Sequence, residues 1–140
     1  MVKLSREQLI QMFTTTPLPK SVPELRAWLT QMAALFNTDL PEVEAFHEGV
    51  LLREIGGDRV TADISVPKGS GPHPVLVYFH GGGWVSGNPT SHRKLGLQFA
   101  EAGFLTINVD YRLAPEHPYP AAVEDCAFAV HWAGQNADRY

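Results

Sequence analysis

Between Leu25 and Phe36 the apolar positions Leu25, Trp28, Leu29, Met32, Leu35 and Phe36 recur at i, i+3, i+4 and i+7, painting one stripe along a helix. Ser21 with Glu24 has the spacing of a capping box at its start. Ser5 with Gln8, bracketed by Leu4 and Leu9 as a hydrophobic staple, gives the same signal for a shorter helix ending near Phe13. The run TTTPLP at 14–19 breaks the two apart. Residues 37–49 then turn polar and acidic and read as a linker, so that 1–45 form a helical cap or lid segment and 46–140 a separate unit.

Past the linker the period changes. Residues 50–55 and 59–66 are short β-like runs around Gly56-Gly57-Asp58, the chemistry of an antiparallel hairpin. Val75-Leu76-Val77-Tyr78-Phe79 is continuously apolar, as in a strand covered on both faces. Ser91 is placed to cap a helix ending near Ala102, Gly103 is a natural stop, and 104–109 supply the next buried strand. Strand, helix and strand in that order imply a right-handed crossover and parallel pairing. A last helix opens near Pro120, carries Glu124 and Asp125 where negative charge suits the helix dipole, and runs toward Ala137. The fold class is therefore α/β: an antiparallel hairpin leading into a parallel sheet flanked by helices, preceded by a helical segment.

Composition narrows the partners. A chain of 140 residues, 44% of them hydrophobic, can fill one modest core. A net charge of −4 gives no footing for nucleic acid or an anionic membrane surface. No apolar run approaches the roughly 18 residues of a membrane span, and MVKLSREQL is polar by its third residue, so a cytoplasmic protein is expected. The single cysteine, Cys126, has no internal disulfide partner and falls on the apolar side of the last helix, as a small buried hydrophobe. His92, His117 and His131 lack the spacing of a metal site, and neither metal nor cofactor is expected.

The stretch YFHGGGW, Tyr78 to Trp84, places three glycines directly after an apolar strand. Phosphate cradles fail on spacing. A G-x-G-x-x-G match from Gly81 would need glycine where Ser86 stands, and a Walker-type match from Gly82 meets Asn88-Pro89 where Lys and Ser/Thr are required. Bare backbone has a second use, which is to aim N–H groups at a developing oxyanion without a side chain in the way.

HGGGWVSG at 80–87 and DYRLAPEH at 110–117, leading into PAAVED at 120–125, resemble the hormone-sensitive-lipase-like (family IV) carboxylesterases of the α/β-hydrolase superfamily. The resemblance covers residues 50–140, the N-terminal portion of that fold. It implies that the backbone N–H groups of Gly82 and Gly83 are oxyanion donors and that His80 and Gly81 position the loop. It places Trp84 beside the active site, with core packing an equal alternative. Arg112, paired with Glu116 or Asp125, would hold the loop before the last helix, a structural role; Tyr111 and Pro115 would shape the same turn. The substrate class implied is a short-acyl ester, cleaved by a Ser-His-Asp mechanism.

The nucleophile of such enzymes sits in a G-x-S-x-G elbow, and no serine of this chain is flanked that way; Ser86 comes closest, with Gly87 after it but Trp84 two before. The expectation is thus a longer protein whose remaining part, in the same or a separate chain, completes the fold and supplies nucleophile, acid and base. A non-catalytic small-molecule-binding protein on the same scaffold is the alternative, and a homodimer is an open arrangement.

Overall fold

A computed structural model describes residues 5–15 and 17–140. Two helices, α1 (Arg6–Thr15) and α2 (Val22–Phe36), precede strands β1 (Ala45–Ile55), β2 (Asp58–Val66) and β3 (Val75–Phe79). A 3-10 turn at Thr90–His92, α3 (Arg93–Glu101), β4 (Leu105–Asp110) and α4 (Ala121–Asn136) follow. The first capping box is present in both halves: Gln8 N donates to Ser5 Oγ at 3.2 Å and Ser5 N to Gln8 Oε1 at 2.7 Å. The staple partner Leu4 lies outside the described residues. Helix α1 runs two residues past the expected end, to Thr15, and the hydroxyls of Thr14 and Thr15 donate back to the carbonyls of Ile10 and Gln11, at 3.0 and 2.8 Å. At α2, Ser21 Oγ accepts from Glu24 N, while the Glu24 carboxylate reaches one residue further back, to Lys20 N.

The four strands form one mixed sheet in the order β1-β2-β4-β3, with β3 and β4 parallel and the other pairs antiparallel. Gly56 and Gly57 both have positive φ, 62° and 92°, the requirement of a tight hairpin turn, and Ile55 faces Asp58 across it. Strand β1 begins at Ala45, so 45–49 is strand and the expected linker is shorter. The alternation there was hidden by a bulge: the register shifts between His47 and Val50, and Gly49 at φ 63° donates its N–H to Asp63 Oδ1 at 3.0 Å.

Period two along β4 divides the two layers. Leu105, Ile107 and Val109 join Val60, Ala62 and Ile64 of β2 and Ala129, Trp132 and Ala133 of α4 in one core. Thr106 and Asn108 face the other way, where α3 comes close at Gly96: a Cβ there would lie 3.7 Å from Asn108 Nδ2 and 3.9 Å from Thr106 Cγ2. Asn88, rather than Ser91, opens the turn into α3. Its Oδ1 accepts from Ser91 N at 2.8 Å, and Ser91 Oγ accepts in turn from Asn88 N at 3.0 Å.

The α2 stripe is only partly covered: Met32 and Ala33 are buried, while Leu35 and Phe36 are exposed. Polar ties hold this helix to the sheet unit. Asn37 Nδ2 donates to Thr90 O at 2.6 Å and its Oδ1 accepts from Lys94 N at 3.1 Å.

Strand β3 is one edge of the sheet, and its coverage falls short of the two-faced burial expected: Val75 is 43% exposed and the other four residues are half-buried. An apolar strand with one unpaired edge is a template for further pairing. The 140-residue chain is expected to self-associate with concentration in sedimentation velocity, and Val75→Lys to shift it toward the monomer; a monomeric parent chain at all concentrations would refute this.

Candidate active site

The glycine loop leaves β3 at His80, whose ring is 3% exposed. His80 Nδ1 lies 3.0 Å from Gly81 O, and the imidazole stacks on Tyr111, with centroids 4.3 Å apart and planes 12° apart. The Tyr111 hydroxyl donates to His80 O at 2.6 Å. Burial lowers the His80 pKa, against the opposing hydrogen bond to Gly81, so the ring is neutral at pH 7. The ring is thus enclosed and in contact with its own loop through Nδ1. Burial likewise pushes the Tyr111 phenol up to about 12, keeping it a donor. Tyr111→Phe retains the stack but leaves His80 O unpaired, and is expected to lower unfolding free energy by about 1–3 kcal/mol in urea titration.

Beyond His80 the backbone enters conformations that favour glycine: φ is 133° at Gly82, 64° at Gly83 and 93° at Gly87. Space is as restrictive as the dihedrals. A Cβ on Gly82 would lie 2.0 Å from Ser86 O, and one on Gly87 would lie 2.4 Å from Gly81 O and 2.5 Å from His80 Nδ1. Both carbonyls at the head of the loop are turned inward: Gly81 O toward His80 Nδ1, and Gly82 O as acceptor for Ser86 Oγ at 2.8 Å and Val85 N at 3.3 Å. In a trans peptide the N–H points opposite to the C=O. The amides of Gly82 and Gly83 are therefore directed away from the interior, and among the described residues they have no acceptor.

Ser86, the serine nearest in pattern to a nucleophile, is fully buried and donates to Gly82 O, so it serves as a strut. Trp84 is 67% exposed among the described residues and adopts φ 61°. The backbone turns outward there because the Trp84 carbonyl is held by Ala114 N at 2.8 Å. A cavity of about 530 Å3 between α2 and α3 is lined by Trp28, Leu29, Met32, Phe36, His92 and Leu95.

Arg112 pairs with Asp125 and not with Glu116. Asp125 is fully buried; its Oδ2 accepts from Arg112 N and Nε, both at 2.9 Å, its Oδ1 from Arg112 Nη2 at 3.0 Å, and Arg53 of β1 also donates to Oδ1. Burial by itself would raise the Asp125 pKa; the bonds from Arg112 and Arg53 outweigh it and hold the carboxyl below its ordinary range. Glu116 is taken instead by Arg26 of α2, through two bonds of 2.8 Å, which hold its carboxyl down to about 2. Sequence reading did not find Arg26 or Arg53. Each looks like a solvated charge on its own element, and only the contact across the fold, 90 residues from Arg26 and 72 from Arg53, reveals the partner. Cys126 is half-buried beside the core, and burial raises its thiol to about 11, so it stays protonated.

A sequence profile of the alpha/beta hydrolase fold matches residues 76–140. The carboxylic ester hydrolase LipN of Mycobacterium tuberculosis is 49% identical over 72 residues, 51% of this chain and 19% of LipN. The tuliposide A-converting enzyme b1 of Tulipa gesneriana is 53% identical over 62 residues, 42% of this chain and 17% of that enzyme. In structure, an esterase of Pyrobaculum calidifontis superposes with a TM-score of 0.82 at 28% identity, covering 97% of this chain and 44% of the esterase. The chain thus spans less than half the length of that solved esterase.

Proposed function

We propose, from the match of residues 76–140 to the α/β-hydrolase fold and the similarity to carboxylic ester hydrolases, that the glycine loop is the oxyanion hole of a carboxylic-ester hydrolase of the hormone-sensitive-lipase-like branch. The observation that carries the reading is the pair of free, outward N–H groups at Gly82 and Gly83, fixed by carbonyls turned inward. When a nucleophile adds to an ester carbonyl, negative charge gathers on the oxygen. Donors already in place stabilise that state without reorganisation, each by about 2.7–4 kcal/mol. His80 and Gly81 hold the loop, and Trp84 offers an aromatic face to the substrate beside it. The helices α1 and α2 form part of the lid.

Nucleophile, acid and base come from sequence outside these 140 residues, in a Ser-His-Asp arrangement, since none of the serines here lies in G-x-S-x-G. The loop alone cannot form an acyl-enzyme. The test is hydrolysis of a p-nitrophenyl ester series from acetate to hexanoate. No turnover above background is expected from this chain alone, and turnover favouring short acyl groups is expected once a nucleophile-bearing remainder of the fold is joined to it. A joined, folded protein that binds such esters without cleaving them would favour the non-catalytic binding role instead.

A further inference from the structure

We propose that Arg26, on the helical segment, is a positioning residue that sets the glycine loop in its donor-out shape; this rests on the oxyanion reading above. Its guanidinium joins three separate pieces of chain. Nε donates to Val85 O at 2.7 Å, Nη2 to Ala114 O at 3.0 Å, and Nη1 and Nη2 reach the two oxygens of Glu116 at 2.8 Å each. Val85 and Ala114 are not incidental acceptors. The Val85 N–H closes the loop onto Gly82 O, and the Ala114 N–H holds Trp84 O at 2.8 Å, the residue at φ 61° immediately before Val85.

The Arg26 fork therefore holds the Val85–Ser86 peptide directly, and through Ala114 it braces the partner of the Trp84 carbonyl, on either side of the unfavourable Trp84 conformation. Conformations of that kind persist where the surroundings over-determine them. Glu116 orients the fork: with both carboxylate oxygens engaged by Nη1 and Nη2, the guanidinium plane is set and Nε is aimed at Val85 O. The helical segment thus acts on the glycine loop through the Arg26 side chain. A lysine at position 26 would keep the charge, but a point-like ammonium cannot meet Val85 O, Ala114 O and both Glu116 oxygens in one plane.

The experiment is hydrogen exchange, read by mass spectrometry, on the full chain and its Arg26→Gln and Arg26→Lys variants. The Val85 and Ala114 amides are expected to exchange about tenfold faster or more in both variants, with the β4 ladder amides unchanged. Unchanged exchange at Val85 and Ala114 would overturn the assignment, as would full protection restored by lysine. Acceleration spread equally over β4 would also overturn it, because Arg26 would then stabilise the fold at large. With a nucleophile-bearing remainder joined, both variants are expected to lower kcat about tenfold at unchanged KM. A joined protein with Arg26 intact that cleaves no ester refutes the oxyanion function, while the exchange pattern still decides the role of Arg26.

Discussion

Gly82→Ala is expected to lower kcat for ester hydrolysis by a factor of about 10²–10³ in a protein that joins this loop to a nucleophile, while Gly83→Ala lowers it less than about tenfold. Both variants keep every backbone N–H, so composition cannot explain a difference; geometry can. At Gly82 the new Cβ would fall 2.0 Å from Ser86 O and 2.6 Å from Ser86 C, backbone atoms that cannot swing aside, at φ 133°. The loop must open, and the Gly82 carbonyl then loses Ser86 Oγ and Val85 N, which set the direction of the Gly83 amide. At Gly83 a Cβ meets nothing within 4 Å, and the left-handed φ of 64° costs about 1–2 kcal/mol without displacing the donor. Steady-state kinetics on both variants decides the matter. Equal losses would mean that the loop's shape is not what matters.

The largest stability effect is expected at Asp125. Replacing it with alanine should lower the unfolding free energy by about 3–5 kcal/mol in urea titration, because Arg112 and Arg53 would be left near each other without their shared anion. The pH dependence carries a definite sign. Asp125 has a folded pKa below its ordinary 3.8, so its contribution is complete above that value and is lost as pH falls through the lower, folded one. Acid unfolding of the parent chain should therefore steepen below pH 3.8, and Asp125→Ala should flatten that limb. A variant within 1 kcal/mol of the parent, unchanged in its acid limb, would show that the two arginines find other partners (about the scale of a surface pair).

Much of the fold is legible where local chemistry decides it. Gly56-Gly57 announces the hairpin because only positive φ closes that turn, and the apolar run 75–79 coincides with β3. Where tertiary contacts decide, the sequence is silent or ambiguous. The bulge at Gly49 interrupts the alternation that would have marked the start of β1. Arg112 has acidic residues in reach at 116 and 125, and spacing cannot weigh them. One turn into α4, Asp125 faces inward, while Glu116 faces α2. The glycines are readable as a motif. Their inward carbonyls depend on His80, Ser86 and the distant Tyr111, a contact 31 residues apart that spacing does not reveal.

The strand order β1-β2-β4-β3 has a consequence for the order in which a ribosome-bound chain can complete itself. The hairpin of β1 and β2 can close as soon as Val66 has emerged. Strand β3 comes next but takes its place one position away from β2, so it has no neighbour until Leu105–Asp110 slides into the gap. The Tyr111 that steadies His80 arrives later still, 31 residues after it. The donor pair is therefore among the last features of these residues to acquire its shape, and a nascent chain carries β3 bare until then.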